Sequence, residues 1–172
     1  WWDGKGSGTP ALDWQGRPYD PKNGPAAHPN ARFTVAAPQN PSYSPLADDP
    51  QGVPVSAIIF GGRRRELAPL VYQARSWQHG VLVGAGVASE TTAAATGAVG
   101  VTRRDPMAMN PVCGYNFGDY WQHWLSFGQR SQKLPAIFHV NWFRQDDQGR
   151  FLWPGFGDNL RVLHWIIARC AG

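Results

Sequence analysis

The 172-residue chain carries a formal net charge of +4, and thirteen of its sixteen basic residues are arginine. The excess is modest and scattered, unlike the dense patches of a dedicated nucleic-acid binder, and suits small anionic ligands whose oxygens match the rigid donor fork of arginine. No run approaches the eighteen or so apolar residues of a membrane span, no signal-peptide pattern appears, and Cys113 and Cys170 form neither a CxxC pair nor a disulfide scaffold, which fits a reducing cytosol.

The length predicts one domain with a core built on nine tryptophans and eight phenylalanines, and loops rich in 20 glycines and 15 prolines. The chain opens on Trp1 rather than Met, so it reads as trimmed at its start. Residues 1–50 are dominated by turn formers such as GRPYDPKNGP, while Trp1, Trp2, Trp14 and Tyr19 suggest that this loop-rich segment packs onto something.

From Val53 the character changes. VPVSAIIF predicts a buried strand ending at Phe60, stopped by Gly61-Gly62 and followed by Arg63, Arg64 and Arg65. VLVGAGV (Val81 to Val87) reads as a second strand, and SETTAAAT (Ser89 to Thr96) as the start of a helix capped by Ser89. FGDYWQHWLSFG (Phe117 to Gly128) places Phe117, Trp121, Trp124 and Leu125 on one helical face. In AIFHVNWF the alternation turns Phe138, Val140 and Trp142 one way and His139, Asn141 and Phe143 the other. NLRVLHWIIARC predicts a helix with Leu160, Leu163, Ile167 and Cys170 along one side and Asp158 or Asn159 as cap. Strands and helices interleave, which predicts an α/β, mixed architecture, and no internal repeat is evident.

Three stretches carry candidate chemistry. In IIFGGRRR a strand ending in two glycines brings backbone close to a ligand, and the arginines beyond can clamp phosphate; a solvated basic turn fits the pattern equally. In HPNARF, Asn30 and Arg32 lie two apart and share a side in extended chain, a weak signal by itself. In FLWPGFGDN, following Phe143, the rings Phe151 and Phe156 suit either an aromatic mini-core or the stacking of a planar base, with Asn159 as helix cap or as an amide reading a base edge. The five histidines show no metal-ligand spacing, and neither GxSxG nor GxxxxGK[ST] occurs.

Taken in order, HPNARF, IIFGGRR, PLVYQARSWQHGV, DPMAMNPVCGYNFGDYWQHWL, LPAIFHVNWFR and FLWPGFGDN resemble the C-terminal, mononucleotide-binding part of GTP-dependent phosphoenolpyruvate carboxykinase, from about His28 to the end of the chain. The resemblance makes residues 1–172 part of that domain, with 1–50 a loop-rich segment within it. It implies conversion of oxaloacetate and GTP into phosphoenolpyruvate, GDP and carbon dioxide, a step of gluconeogenesis, in a cytoplasmic and monomeric full-length enzyme. It further implies substrate contacts by Asn30, Ala31 and Arg32, nucleotide phosphate contacts by Arg32 and Arg63, and a catalytic role for Arg63 in neutralising phosphate charge. Trp142, Phe143, Phe151 and Phe156 match the guanine pocket, with Gly157, Asp158 and Asn159 alongside.

Ser89 to Val101, including Glu90, Thr96, Gly97 and Gly100, match a lid that closes over the site. Ala88 stands where the family commonly has arginine, and TGAVG replaces a more charged tip. The family's phosphate loop and the ligands of its manganese ion lie N-terminal to this region, so no metal ligand is expected here and the isolated chain is expected to be inactive. An alternative from another class is a non-catalytic binder of guanine nucleotides or single-stranded nucleic acid, built on the same rings and arginines.

Overall fold

The computed structural model describes residues 8–28, 34–92 and 98–172, with the side chain of Phe156 excepted. Among the described residues the strands are β1 (Ala57–Gly61), β2 (Val71–Gln73), β3 (Ala88–Glu90), β4 (Thr102–Arg104) and β5 (Ala136–Val140), and the α-helices are α1 (Trp77–Ala85), α2 (Phe117–Arg130) and α3 (Asn159–Ala171). β5 is the middle strand of a three-stranded mixed sheet, parallel to β1 with Phe60 opposite His139, and antiparallel to β2 with Tyr72 opposite His139. β3 and β4 form a separate antiparallel pair. The expected α/β, mixed architecture is therefore the observed one.

Alternation along β5 divides two cores. Ile137 joins Phe60, Val81, Val87 and Met107 on the face covered by α1 and by Trp121, Trp124 and Leu125 of α2. Phe138, with no exposed surface, joins Val162 and Ile166 of α3 on the other face, together with Val140 and Trp142. Each such fully buried side chain contributes about 1.5–3 kcal/mol. Of the aromatic stripe predicted for α2, Trp121, Trp124 and Leu125 pack half-buried against this core, with the Trp77 indole nitrogen donating to the Trp124 carbonyl at 2.8 Å and their rings stacked 5.7 Å apart.

Three expectations are corrected. VLVGAGV is helical up to Ala85, not a strand. Ser76 caps α1 by accepting from the His79 amide at 3.1 Å, and glycines one turn apart let the helix lie flat on the sheet. A Cβ at Gly80 would come within 2.7 Å of the Ile137 Cβ, and one at Gly84 within 2.6 Å of the Phe60 ring. This close packing overrides the strand preference of the valines.

Ser89 caps no helix, because Ala88–Glu90 pairs with Thr102–Arg104; residues 93–97 lie outside the described set. On α3 the buried stripe is Val162 and Ile166, with Cys170 packed beside them, whereas Leu160 and Ile167 are 72% and 66% exposed. The predicted stripe shares only Cys170 with the observed one.

The described residues among the first fifty are loop-rich as expected: short 3-10 turns at Pro21–Asn23 and Ala37–Gln39 and a bridge between Leu12 and Pro18. Trp14 meets the His28 ring edge-on at 4.6 Å, while Trp1 and Trp2 lie outside the described residues.

Candidate functional site

β1 ends at Gly61, and the chain then turns sharply through Arg63, Arg64 and Arg65. Gly62 is where the turn touches β3: a Cβ there would sit 2.7 Å from the Ala88 carbonyl oxygen. The turn is fastened on both sides. From β3, the Ser89 hydroxyl accepts from the Arg63 amide at 3.1 Å, the Glu90 amide donates to the Arg63 carbonyl at 2.8 Å, and the Glu90 carboxylate accepts from the Arg65 amide at 2.8 Å and its Nε at 3.0 Å. From the end of β5, Asn141 accepts from the Arg64 amide at 3.2 Å and donates to the Arg64 carbonyl at 2.8 Å.

The outcome is a fixed backbone presenting cations. Glu90 neutralises Arg65, whereas Arg63 and Arg64 form no ion pair among the described residues. Instead the Arg63 guanidinium lies 3.8 Å above the centre of the Phe143 ring. That ring meets Phe151 edge-to-face at 6.3 Å and 79°, and Phe151 is 58% exposed. The two rings are therefore not a parallel sandwich. A flat ligand between them would have to turn one ring, whereas the exposed face of Phe151 is open to stacking.

Residues 144–152 form a tight return. Asp146 Oδ1 accepts from the Gln148 and Arg150 amides, both at 2.9 Å, and its Oδ2 takes the Arg150 Nε at 2.8 Å. The backbone hydrogen bond from Arg150, with the Arg150 side chain next, holds the Asp146 carboxyl below its ordinary value. Gly149 completes the turn at φ 77°, a left-handed conformation that glycine adopts without strain. Behind this return a polar cavity of about 500 Å³ is lined by Arg64, Arg65, Glu66, Glu90, Gln145 and Asp146.

Beyond it the Trp153 indole stacks on Trp142 at 5.8 Å and donates to Asn159 Oδ1 at 2.9 Å. Asn159 thus holds its amide oriented by an indole, not as a helix cap. Asp158 occupies the cap position without a capping hydrogen bond and pairs with Arg161 at 3.0 Å, and Gly157 is exposed beside it.

The structure gathers Arg63, Phe143, Phe151, Ser89 and Glu90 around one turn. Trp142 lies on the opposite side of the strand, among the Phe138 core. Among the described residues no hydrogen bond or ring contact joins Asn159 to Arg63 or Phe143; Asn159 is held by Trp153, which stacks on Trp142. Gly100 sits against Arg65, whose Nη2 donates to its carbonyl at 3.4 Å. Below it Thr91 donates through its hydroxyl to the Ala98 carbonyl and accepts from the Val101 amide, joining the described residues on either side of 93–97. Asn30, Ala31, Arg32, Thr96, Gly97 and the Phe156 side chain lie outside the described residues.

Sequence reasoning missed Asn141. The available signal was a polar amide at an inward strand position between Val140 and Trp142, which demands partners once buried.

A strand-ending glycine pair, a cationic turn and an aromatic return make a mixed α/β unit that presents arginine and aromatic side chains together at one strand end. The chain belongs to the family described as phosphoenolpyruvate carboxykinase C-terminal P-loop domain, whose model matches residues 1–172. It is similar to phosphoenolpyruvate carboxykinase [GTP] of Chlamydia pneumoniae and of Anaeromyxobacter sp. (strain K), each 58% identical, and of Chlamydia muridarum, 56% identical. All of this chain aligns in each comparison, but it spans only 29% of the length of each relative.

Proposed function

We propose that this chain forms the guanine side of the nucleotide site of a GTP-dependent phosphoenolpyruvate carboxykinase. The full reaction converts oxaloacetate and GTP into phosphoenolpyruvate, GDP and carbon dioxide. The observation that carries the reading is Arg63, unpaired by any carboxylate among the described residues and seated on the Phe143 ring beside an exposed Phe151. Phosphoryl transfer needs mainly positioned positive charge where the transferring group gains negative charge, and a guanidinium fixed before the ligand arrives costs little reorganisation. Arg63 would hold phosphate oxygens. Phe143, Phe151 and Phe156 would cover the base, bordered by Trp142, and Asn159 with the backbone of Gly157 and Asp158 would read its edge. Asn30, Ala31 and Arg32 would bind the carboxylated substrate, and Ser89 to Val101 would form the lid.

The manganese ion that the reaction calls for does not fit the described residues: no three of their His, Cys, Asp or Glu side chains lie close enough to hold a metal. No described helix is long and apolar enough to cross a membrane, and a cytoplasmic, monomeric full-length enzyme belongs to the same reading.

Competition tests the reading. GTP should displace a fluorescent guanine nucleotide from the chain, ATP poorly and oligonucleotides hardly at all. Equal displacement by RNA would favour a single-stranded nucleic-acid binder instead.

A further inference from the structure

We infer that Asn141 is a positioning residue that fixes the Arg63 cation and the Phe143 ring relative to each other, so that the phosphate and base halves of the site act as one unit. The inference rests on the functional reading above. The side chain is 1% exposed, and all of its hydrogen-bonding capacity is spent on the two segments in question. Its Oδ1 accepts from the Arg64 amide and from the Phe143 amide, each at 3.2 Å. Its Nδ2 donates to the Arg64 carbonyl at 2.8 Å and to the Ala68 carbonyl at 3.1 Å. A carboxamide has two acceptor lone pairs and two N–H donors, so none is left over. The orientation of the amide follows as well, because two N–H groups face one end and two carbonyls the other.

The consequence is geometric. One buried oxygen is shared by the residue after Arg63 and by Phe143 itself. Among the described residues no other side chain hydrogen-bonds to both segments. Ser89 and Glu90 tie the arginine turn to β3, but neither reaches Phe143. Loss of the Asn141 side chain leaves the Arg64 and Ala68 carbonyls without their amide donors, and the arginine turn then has no side-chain hydrogen bond to the segment that carries Phe143.

Asn141→Asp keeps the acceptor oxygen and removes both donors; Asn141→Ser removes the reach of the side chain. Displacement of a fluorescent guanine nucleotide by GDP and by GMP is measured in the parent chain and in both variants, below the melting temperature of each. The expected result is about a ten-fold loss of GDP affinity in Asn141→Ser and a smaller loss in Asn141→Asp, which keeps the shared acceptor oxygen. A smaller GDP-over-GMP preference is expected with it, since both halves of the site slip. Unchanged affinity and preference alongside a lower Tm would reduce Asn141 to a fold-stabilising residue and overturn the inference.

A second measurement needs no variant to fold. In the parent, guanosine, which has no phosphate, should slow amide exchange at Phe143 and at Arg64 together. Protection at Phe143 alone would overturn the coupling. Failure of the parent to bind GDP at all would sink the functional reading and the inference with it, whereas binding without the variant or exchange effects sinks the inference alone.

Discussion

The Arg63 guanidinium rests 3.8 Å from the centre of the Phe143 ring, so the proposed phosphate-binding cation and the proposed base-stacking ring are in direct contact. Such a contact is worth about 0.5–2 kcal/mol depending on exposure. Arg63→Lys keeps the charge and loses the planar fork, and should weaken GTP about ten-fold. Phe143→Leu should cost a similar factor through lost stacking. Because the groups touch, the double variant should lose less than the product of the two factors in the same titration.

Gly84→Ala exchanges a poor helix former for the best one, yet it should destabilise the chain. The new Cβ would lie 2.6 Å from the Phe60 ring and 3.1 Å from the Met107 side chain. Overpacking of this kind costs about 1–3 kcal/mol, more than the roughly 1 kcal/mol gained in propensity. Urea denaturation should show a lower midpoint with the slope unchanged.

His139 should make stability fall on acidification. It is 6% exposed, its Nδ1 has no partner among the described residues, and its ring stacks on Tyr72 at 5.2 Å. Burial lowers its pKa below the ordinary value of 6.5, so the unfolded chain binds the proton first. The contribution of the neutral form is therefore complete above that value and is lost as pH falls from it toward the folded pKa. Denaturation midpoints between pH 7.5 and 5 should drop in the parent and drop less in His139→Phe.

Glu90 separates a hydrogen-bond effect from a charge effect. Its carboxylate is nearly buried and accepts the Arg65 amide, whereas the Arg65 side chain is 53% exposed. Glu90→Ala should cost about 1–3 kcal/mol by stranding that amide. Glu90→Gln should cost less, because the part-exposed ion pair contributes about 1 kcal/mol or less. Equal losses in the two variants would place the ion pair first.

Much of this was legible in the residues where local pattern and burial agree. The period of α2 turns Trp121, Trp124 and Leu125 onto the core, half-buried, and the alternation of β5 buries Phe138, as read. α1 was not legible, because its valines favour a strand and only the facing Ile137 and Phe60 reveal why Gly80 and Gly84 permit a helix. On α3 the leucines Leu160 and Leu163 outweighed Val162 and Ile166 in the pattern, yet the β-branched pair is the one packed against Phe138.

A recurrence also escaped notice. DWQGR at Asp13 and DDQGR at Asp146 fold into the same aspartate-clasped turn, with Gly16 and Gly149 both at φ 77°. Arg63 and Phe143 were legible as residues but their contact was not, since it joins segments distant in sequence, with Asn141 bonded to Arg64 across 77 positions.

Photolabelling with 8-azidoguanosine triphosphate, followed by peptide mapping, tests most directly whether a guanine base lies on this wall. The label should fall between Phe143 and Asn159, and GTP should suppress it far better than ATP. Labelling centred on the cleft around Asp13 and Tyr19, or suppressed equally by ATP, would contradict a guanine site built on Arg63, Phe143 and Phe151.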